Sequence, residues 1–514
     1  MGLTFAPPTI DVSVNAGAGN VAGLLFEASV ETVFAMSGIL SAVAGGLADI
    51  QVDALVGGAA VQTATTNLNG AYTLADLTPG SYAVRPTNAA WAFSPVETVV
   101  NLATDEANVD FVGSTIYALT IPSGLNMMAV PVWPDDPSVV VTFGANAEVR
   151  RWDPQVSPPY LTQASTDPAM RVAPGRGFWV NRDTAGVRNI VGEVVGNDEN
   201  IVMNLSTGWN IGGNPYARGL PWAQVQVPAG SPASAYGFIY QRQQGSYALV
   251  TTVNGIGTVT TVPQERGFWM RASSATQVTI QGPGAAPAAT TQVAARKPGP
   301  NSWLIPIVVS AAGRADTSGV AGVLPQADDA ACQAVNPPAI SPFVDLYFTA
   351  QAGSRLAVDV RTAGEGTLVW PFEVATDMGD VTVQVALPDL SEVPVSKRVT
   401  LVDLDTGKRM YARTMPAYSY NSAGGDAPTL ALEVTDNFGG GLMITSALAA
   451  GTAAGGASVS YTLSAAAEVN VEVLNIAGRK VATLANGQAA AAGANTLTWS
   501  GRNNTGTLCP AGRY

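Results

Sequence analysis

The sequence predicts an all-β protein built as a tandem of antiparallel β-sandwich domains. Three observations predict it. At 514 residues the chain exceeds what one hydrophobic core supports, so it divides into several domains. It carries 54 Gly and 34 Pro against only 12% charged residues, which suits many short strands joined by tight turns rather than salt-bridged helices. Between those turn signals, apolar and polar residues alternate in short runs, the period of half-buried strands.

The clearest unit spans 33–115. "FAMSGILSAVAGGLADIQVDAL" and "NLNGAYTLADLTPGSYAV" alternate as strands do, and Asn69-Gly70 and Pro79-Gly80 supply the turns. The pattern "G.YTL..L.PG.Y.V" resembles the carboxypeptidase regulatory-like, transthyretin-like fold, which recurs in bacterial surface proteins. Residues 1–32 then read as the tail strands of a preceding copy: Phe5 answers Phe93, Pro7 answers Pro95 and Phe26 answers Phe111. The start lacks the basic and apolar regions of a signal peptide, so the expectation is that a leader was removed or that the chain belongs to something longer.

A second repeat follows, at 116–198 and 199–283. Each copy has a Gly-Leu-Asn or Gly-Trp-Asn opening, a Pro-terminated strand, a central aromatic hairpin, and a closing "RGFWV" (176–180) or "RGFWM" (266–270). The pair resembles the all-β "GWN…P…Y…G.GYW" repeats of secreted bacterial proteins. Residues 284–300 are rich in Ala, Pro and Thr without an apolar period and read as a linker. From 301 to 448 further strands form another β-sandwich, similar to the one that often precedes the sorting region of secreted bacterial proteins. The last unit, 449–514, carries "Y.LS..A.V.VEV.N.AGR" and "NTL.W.GRN..G…PAG.Y". It resembles the immunoglobulin-like domain of the flagellar hook-capping type, in which "PAG.Y" leads into a final strand. Here that strand is expected to be lacking.

Charge and residue usage exclude several classes of function. With 25 basic and 38 acidic residues the net charge is −13, and no segment concentrates Lys or Arg, so nucleic acid is not an expected partner. No apolar run reaches the ~18 residues of a membrane helix. The sequence holds no histidine, which removes the usual general base, the triad imidazole and the commonest metal ligand together. G-x-S-x-G, P-loop and H-E-x-x-H motifs are absent, and "GAGNVAG" (17–23) has the wrong glycine spacing for a dinucleotide loop. No enzymatic activity and no cofactor are expected.

The remaining candidates are weaker. Glu365, Glu373, Asp377 and Asp380 are the nearest approach to the paired carboxylates of a glycosidase, but their places at strand ends and turns read as solvated loops. Asp403 and Asp405 in "DLDTG" resemble the start of a calcium loop without its remaining oxygens, and read as a hairpin turn. Asp328-Asp329 and Asp105-Glu106 read likewise. Cys332 and Cys509 form no disulfide framework, although a single bridge between domains or subunits remains open. Lysine occurs only at 297, 397, 408 and 480, so the Lys–Asn isopeptide lock of some transthyretin-like adhesin modules is impossible before Lys297. Asn204-Leu205-Ser206 and Asn503-Asn504-Thr505 fit the N-glycan acceptor pattern.

Exposed aromatics are how proteins stack on sugar rings. Trp179 and Trp269 alternate on strands beside Phe178 and Phe268 and are expected in cores, which leaves Trp133 and Trp222, next to prolines, as the glycan candidates. Two readings of the chain as a whole follow. In the first it is an extracellular structural subunit that polymerises head to tail with copies of itself, residues 1–32 (Phe5, Ile10, Val12, Val14, Leu25 and Phe26 among them) supplying the intersubunit strand. In the second it is a carbohydrate-binding or adhesive region of a larger secreted enzyme or adhesin.

Overall fold

The structure, a computed structural model, describes residues 3–6, 27–252, 256–257, 259–282, 284, 298–327, 330–350, 353–364, 366–415, 417–422, 428–435, 444–452, 455–463, 465–476 and 478–514. Over these the protein is all-β, with only brief helical turns such as Val139–Phe143, which Ser138 caps through the N–H of Val140. No helix among the described residues is long and apolar enough to cross a membrane. Leu3–Ala6 pairs antiparallel with Glu27–Val30, placing Phe5 opposite Ala28. Ile10, Val12, Val14, Leu25 and Phe26 lie outside the described residues, as do most of the expected linker, Glu365 and Asp328-Asp329.

In the first sandwich Thr98–Leu102, Gly80–Thr87, Gln51–Val56 and Ala59–Thr65 form one sheet in that order. Phe34–Ala42 pairs with Ala71–Leu77 in the other. Strand alternation places Met36, Leu40, Val52, Leu74, Val84 and Phe111 between the layers. The Asn69-Gly70 turn accepts only glycine at its second position: Gly70 has φ +77°, and a Cβ there would meet the Leu40 carbonyl oxygen at 2.1 Å. Both tyrosines of the signature anchor the chain beyond their alternation. Tyr72 donates its hydroxyl to the carbonyl of Val109 at 2.7 Å, and Tyr82 to that of Thr78 at 2.7 Å.

The strand Phe111–Ile121 belongs to two domains at once. Its first residues pair with Phe34–Ala42 and Trp91–Ser94, while Thr115 to Ile121 pair with Gly186–Val194 of the next unit. The junction expected at 115/116 therefore lies inside one continuous strand.

The two repeats share a strand order. Gly124–Ala129, Gly177–Arg182, Glu148–Trp152 and Tyr160–Thr162 neighbour one another in the first. Gly208–Gly213, Gly267–Ala272, Ala233–Gln241 and Ser246–Val250 do so in the second. The opening Asn has a structural task in both. Asn126 donates its side-chain amide to the carbonyls of Pro122, Ser123 and Gly124, and Asn210 to those of Ser206 and Gly208, so each fixes the turn that launches its strand.

Two sheets of five and six strands enclose the core of the following sandwich, around Trp303 and Trp370, whose rings lie 5.8 Å apart, with Phe348 and Phe372. This sandwich is fused to the repeats. Val320, Leu324, Cys332, Val358 and Val360 share one apolar cluster with Met127 and Trp179 of the first repeat and Tyr236, Tyr247 and Trp269 of the second. Tyr247 donates to the Pro338 carbonyl at 2.8 Å, and the N–H of Ala315 to the carbonyl of Gln244 at 2.9 Å.

The last unit is built differently. Ile444–Gly451, Ala457–Leu463 and Gly493–Trp499 form a three-stranded sheet, and Ala467–Leu474 pairs with Lys480–Ala490 as a separate hairpin. Alternation is regular, yet the inward positions Val469, Val471, Val473 and Leu497 are only half-buried. Residues 500–514 hold no strand: Asn503 accepts the N–H groups of Thr505 and Thr507, and the ring of Tyr514 rests edge-on against Trp499 at 4.9 Å.

Candidate functional site

The closing Arg-Gly-Phe-Trp segment of each repeat builds the surface between them. Phe178 and Phe268 turn into the cores of their own repeats, whereas Trp179 and Trp269 cross into the shared cluster. The exchange is reciprocal: Trp179 meets Tyr240 of the second repeat edge-on at 4.9 Å, and Trp269 meets Trp152 of the first at 5.4 Å. Core placement of Trp179 and Trp269 thus agrees with the alternation in the sequence. The arginines follow the same two-fold logic, since Arg176 is bridged to Gly212 and Arg266 to Met128.

Beside the first of these bridges lies a cavity of about 340 Å³, walled by Arg151, Trp152 and Arg176 of the first repeat and Asn204, Ser206 and Asn210 of the second, with Trp133 at its rim. Arg151 donates through one terminal nitrogen to the carbonyls of Gly177 at 2.7 Å and Ile211 at 3.1 Å, so it pins the two repeats together. Arg176 donates likewise to Pro168 and Arg171. Burial lowers the pKa of Arg151 to about 10, and the charge of Arg176 adds to the shift. That of Arg176 is lowered by burial and then by Arg171. Of the carboxylates nearby, Asp153, which lines the cavity, accepts the N–H of Gln155, and Asp167 accepts that of Ala169; the charge of both opposes the lowering at Arg151, and that of Asp167 does so at Arg176.

The glycan candidates part company here. Trp133 is 42% exposed, and its indole N–H donates to Glu199 at 3.1 Å, which leaves its ring open. Trp222 is no surface residue. It is 2% exposed, stacks edge-on against Phe268 at 5.3 Å and donates its indole N–H to the Ala235 carbonyl at 2.8 Å. The 3-10 turn Trp222–Gln224, which begins directly after Pro221, folds the ring under the second repeat.

Other sequence candidates are dispersed. Asp403 caps a hairpin turn by accepting the N–H groups of Asp405 and Thr406, and it also receives the hydroxyl of Tyr418 at 2.8 Å. Glu373 accepts from Tyr347, and Asp377 from the N–H of Phe343. Among the described residues no group of three or more Cys, Asp or Glu could hold a metal ion. Cys332 is not bridged to Cys509: the first is buried in the cluster shared by the repeats and the sandwich, the second lies in the last unit.

A buried acidic pair went unnoticed in the sequence. Asp316, 1% exposed, accepts the N–H groups of Ser318 and Leu346, the hydroxyl of Ser318, and across the domain junction the hydroxyl of Ser246. Its neighbour Asp345 accepts from Asn336 at 2.7 Å. Burial, and then the charge of Asp316, push the Asp345 carboxyl up to about 8.

Residues 445–514 match the FlgD Ig-like domain family, and residues 34–116 match the second β-sandwich domain of the NOMO1-like subunit of the BOS complex. Both matches are to β-sandwich families, in agreement with the all-β tandem architecture. No curated protein matches the chain. Among solved structures, that of the major pilin subunit of Bacillus cereus aligns over 90% of this chain and 95% of its own at 7% identity. The TM-score is 0.19, too low for the likeness to bear on fold or function.

Proposed function

We propose that the chain is a non-catalytic structural segment of an extracellular bacterial filament or surface assembly, in which copies join head to tail through β-strand pairing. One observation carries this reading, the contrast between filled and unfilled sandwiches. The domains from 33 to 435 bury their inward faces, and three of them share a single apolar cluster, which makes a stiff multidomain body. The last unit buries Tyr461, Leu463 and Trp499 but leaves the valines of its separate hairpin half-buried, and its three-stranded sheet ends on the edge strand Gly493–Trp499. An apolar face beside an open edge is what a strand from another chain completes, contributing backbone hydrogen bonds and side chains together. The two-stranded ladder Leu3–Ala6 and Glu27–Val30, similar to the tail of a transthyretin-like module, is the proposed donor. A contact between two different surfaces does not close on itself and propagates as a fibre.

Negative-stain electron microscopy and light scattering of the purified chain over a rising concentration series test this. Elongated particles one domain wide, lengthening with concentration, are expected. A strictly monomeric species at every concentration overturns the proposal.

A further inference from the structure

The cavity between the repeats holds an imbalance that packing alone does not require. Arg151 and Arg176 each satisfy one terminal nitrogen on backbone carbonyls. Among the described residues their other guanidinium nitrogens meet no acceptor, and none is sealed from solvent. Neither arginine is in an ion pair with a described carboxylate. The pseudo-equivalent corner of the second repeat is answered differently. There Arg266 finds the side-chain oxygen of Asn126 at 3.4 Å, and Glu265 follows as a neighbouring charge that also accepts from Tyr117 at 2.7 Å. In the first corner the matching oxygen, on Asn210, is already occupied by the N–H of Ser206, and the residue before Arg176 is Gly175. Two guanidinium groups thus converge on a half-open cavity with donors to spare: Asp153, which lines it, and Asp167 act on them through their charge but form no ion pair with either. The planar forks of arginine match carboxylate and sulfate geometry.

We propose that this cavity binds the anionic group of an acidic saccharide, a pyranose bearing a carboxylate or a sulfate. The anion sits between Arg151 and Arg176, and the sugar ring lies on the open face of Trp133. The rim supports a sugar over a bare anion. Trp133 offers an exposed apolar ring held in place by Glu199, and Ser206 and Asn204 add polar groups to the lining that suit hydroxyls. The cavity volume of about 340 Å³ accommodates one or two sugar units.

Titration of the full chain at low ionic strength, read by tryptophan fluorescence and calorimetry, tests the site with three probes: an oligogalacturonate, its carboxyl-reduced neutral counterpart, and sodium sulfate. The oligogalacturonate should bind, the neutral sugar should bind at least about tenfold more weakly, and sulfate should compete. Arg176→Gln should weaken the acidic sugar by about tenfold or more. Trp133→Ala should weaken it several-fold while leaving sulfate competition intact. Because Trp133 is exposed, that variant keeps its fold and decides the matter should Arg176→Gln prove unstable. The inference is overturned if no acidic sugar binds at millimolar concentration, if acidic and neutral sugars bind alike, if sulfate binds and the sugar does not, or if Trp133→Ala leaves sugar binding unchanged.

Discussion

Gly177 and Gly212 stand so close across the repeat boundary that a Cβ on Gly177 would lie 2.2 Å from the Gly212 carbonyl oxygen. The glycine of the Arg-Gly-Phe-Trp segment therefore serves the contact between repeats as well as its own strand.

Gly177→Ala should lower stability by about 1–3 kcal/mol, because the overlap is with backbone and cannot be relieved by a rotamer change. Gly379→Ala, where a Cβ would meet nothing within 4 Å, is the control and should change stability by less than about 0.5 kcal/mol. Chemical denaturation of both variants, followed by tryptophan fluorescence, makes the comparison.

The two glycan candidates should separate in the same assay. Truncating Trp222 to alanine empties a core site and should cost about 3–5 kcal/mol, whereas Trp133→Ala should fall within about 0.5 kcal/mol of the parent.

The buried acidic pair should make stability fall as pH rises. Burial pushes both carboxyls up. Asp316 receives four hydrogen bonds and is the one the fold can hold as an anion, so Asp345 takes the proton. The folded Asp345 stays protonated up to about 8, while in the unfolded chain it ionises near the ordinary value of about 4. Between those limits the folded state binds more protons, so this contribution is complete below about pH 4 and is lost as pH rises toward 8. Thermal midpoints measured from pH 5 to 8.5 should show this decline, and Asp345→Asn should flatten it.

Asn126→Ala and Asn210→Ala should each destabilise their repeat by about 1–3 kcal/mol, since each removes a buried amide whose hydrogen bonds hold the turn that launches the first strand of its repeat's sheet. Loss of hydrogen-exchange protection confined to residues 121–129 or 205–213 would report it.

Much of the architecture could be read from the sequence because its signals are local. Alternation marks strands, Asn-Gly marks the turn at Gly70, and the recurrence of Gly-Phe-Trp marks a duplicated unit. What could not be read is what a side chain meets once the units pack. Alternation sends Trp179 to one face of its strand but does not say that Tyr240 of another repeat waits there. Its place beside Pro221 marks Trp222 as a glycan candidate, but the 3-10 turn that follows carries the ring inward. Asp316 and Asp345 lie on different strands and become neighbours only through the folding of the sandwich, and Arg151 and Arg176 converge only when the repeats dock.

The strand Phe111–Ile121, common to the first sandwich and the first repeat, has a mechanical corollary. A pull transmitted along the chain finds no slack tether at this junction to straighten, so it acts in shear on hydrogen bonds of both domains together. The hairpin Ala467–Leu474 with Lys480–Ala490 forms a two-stranded sheet of its own, so a load on it falls on a single ladder rather than on two domains at once.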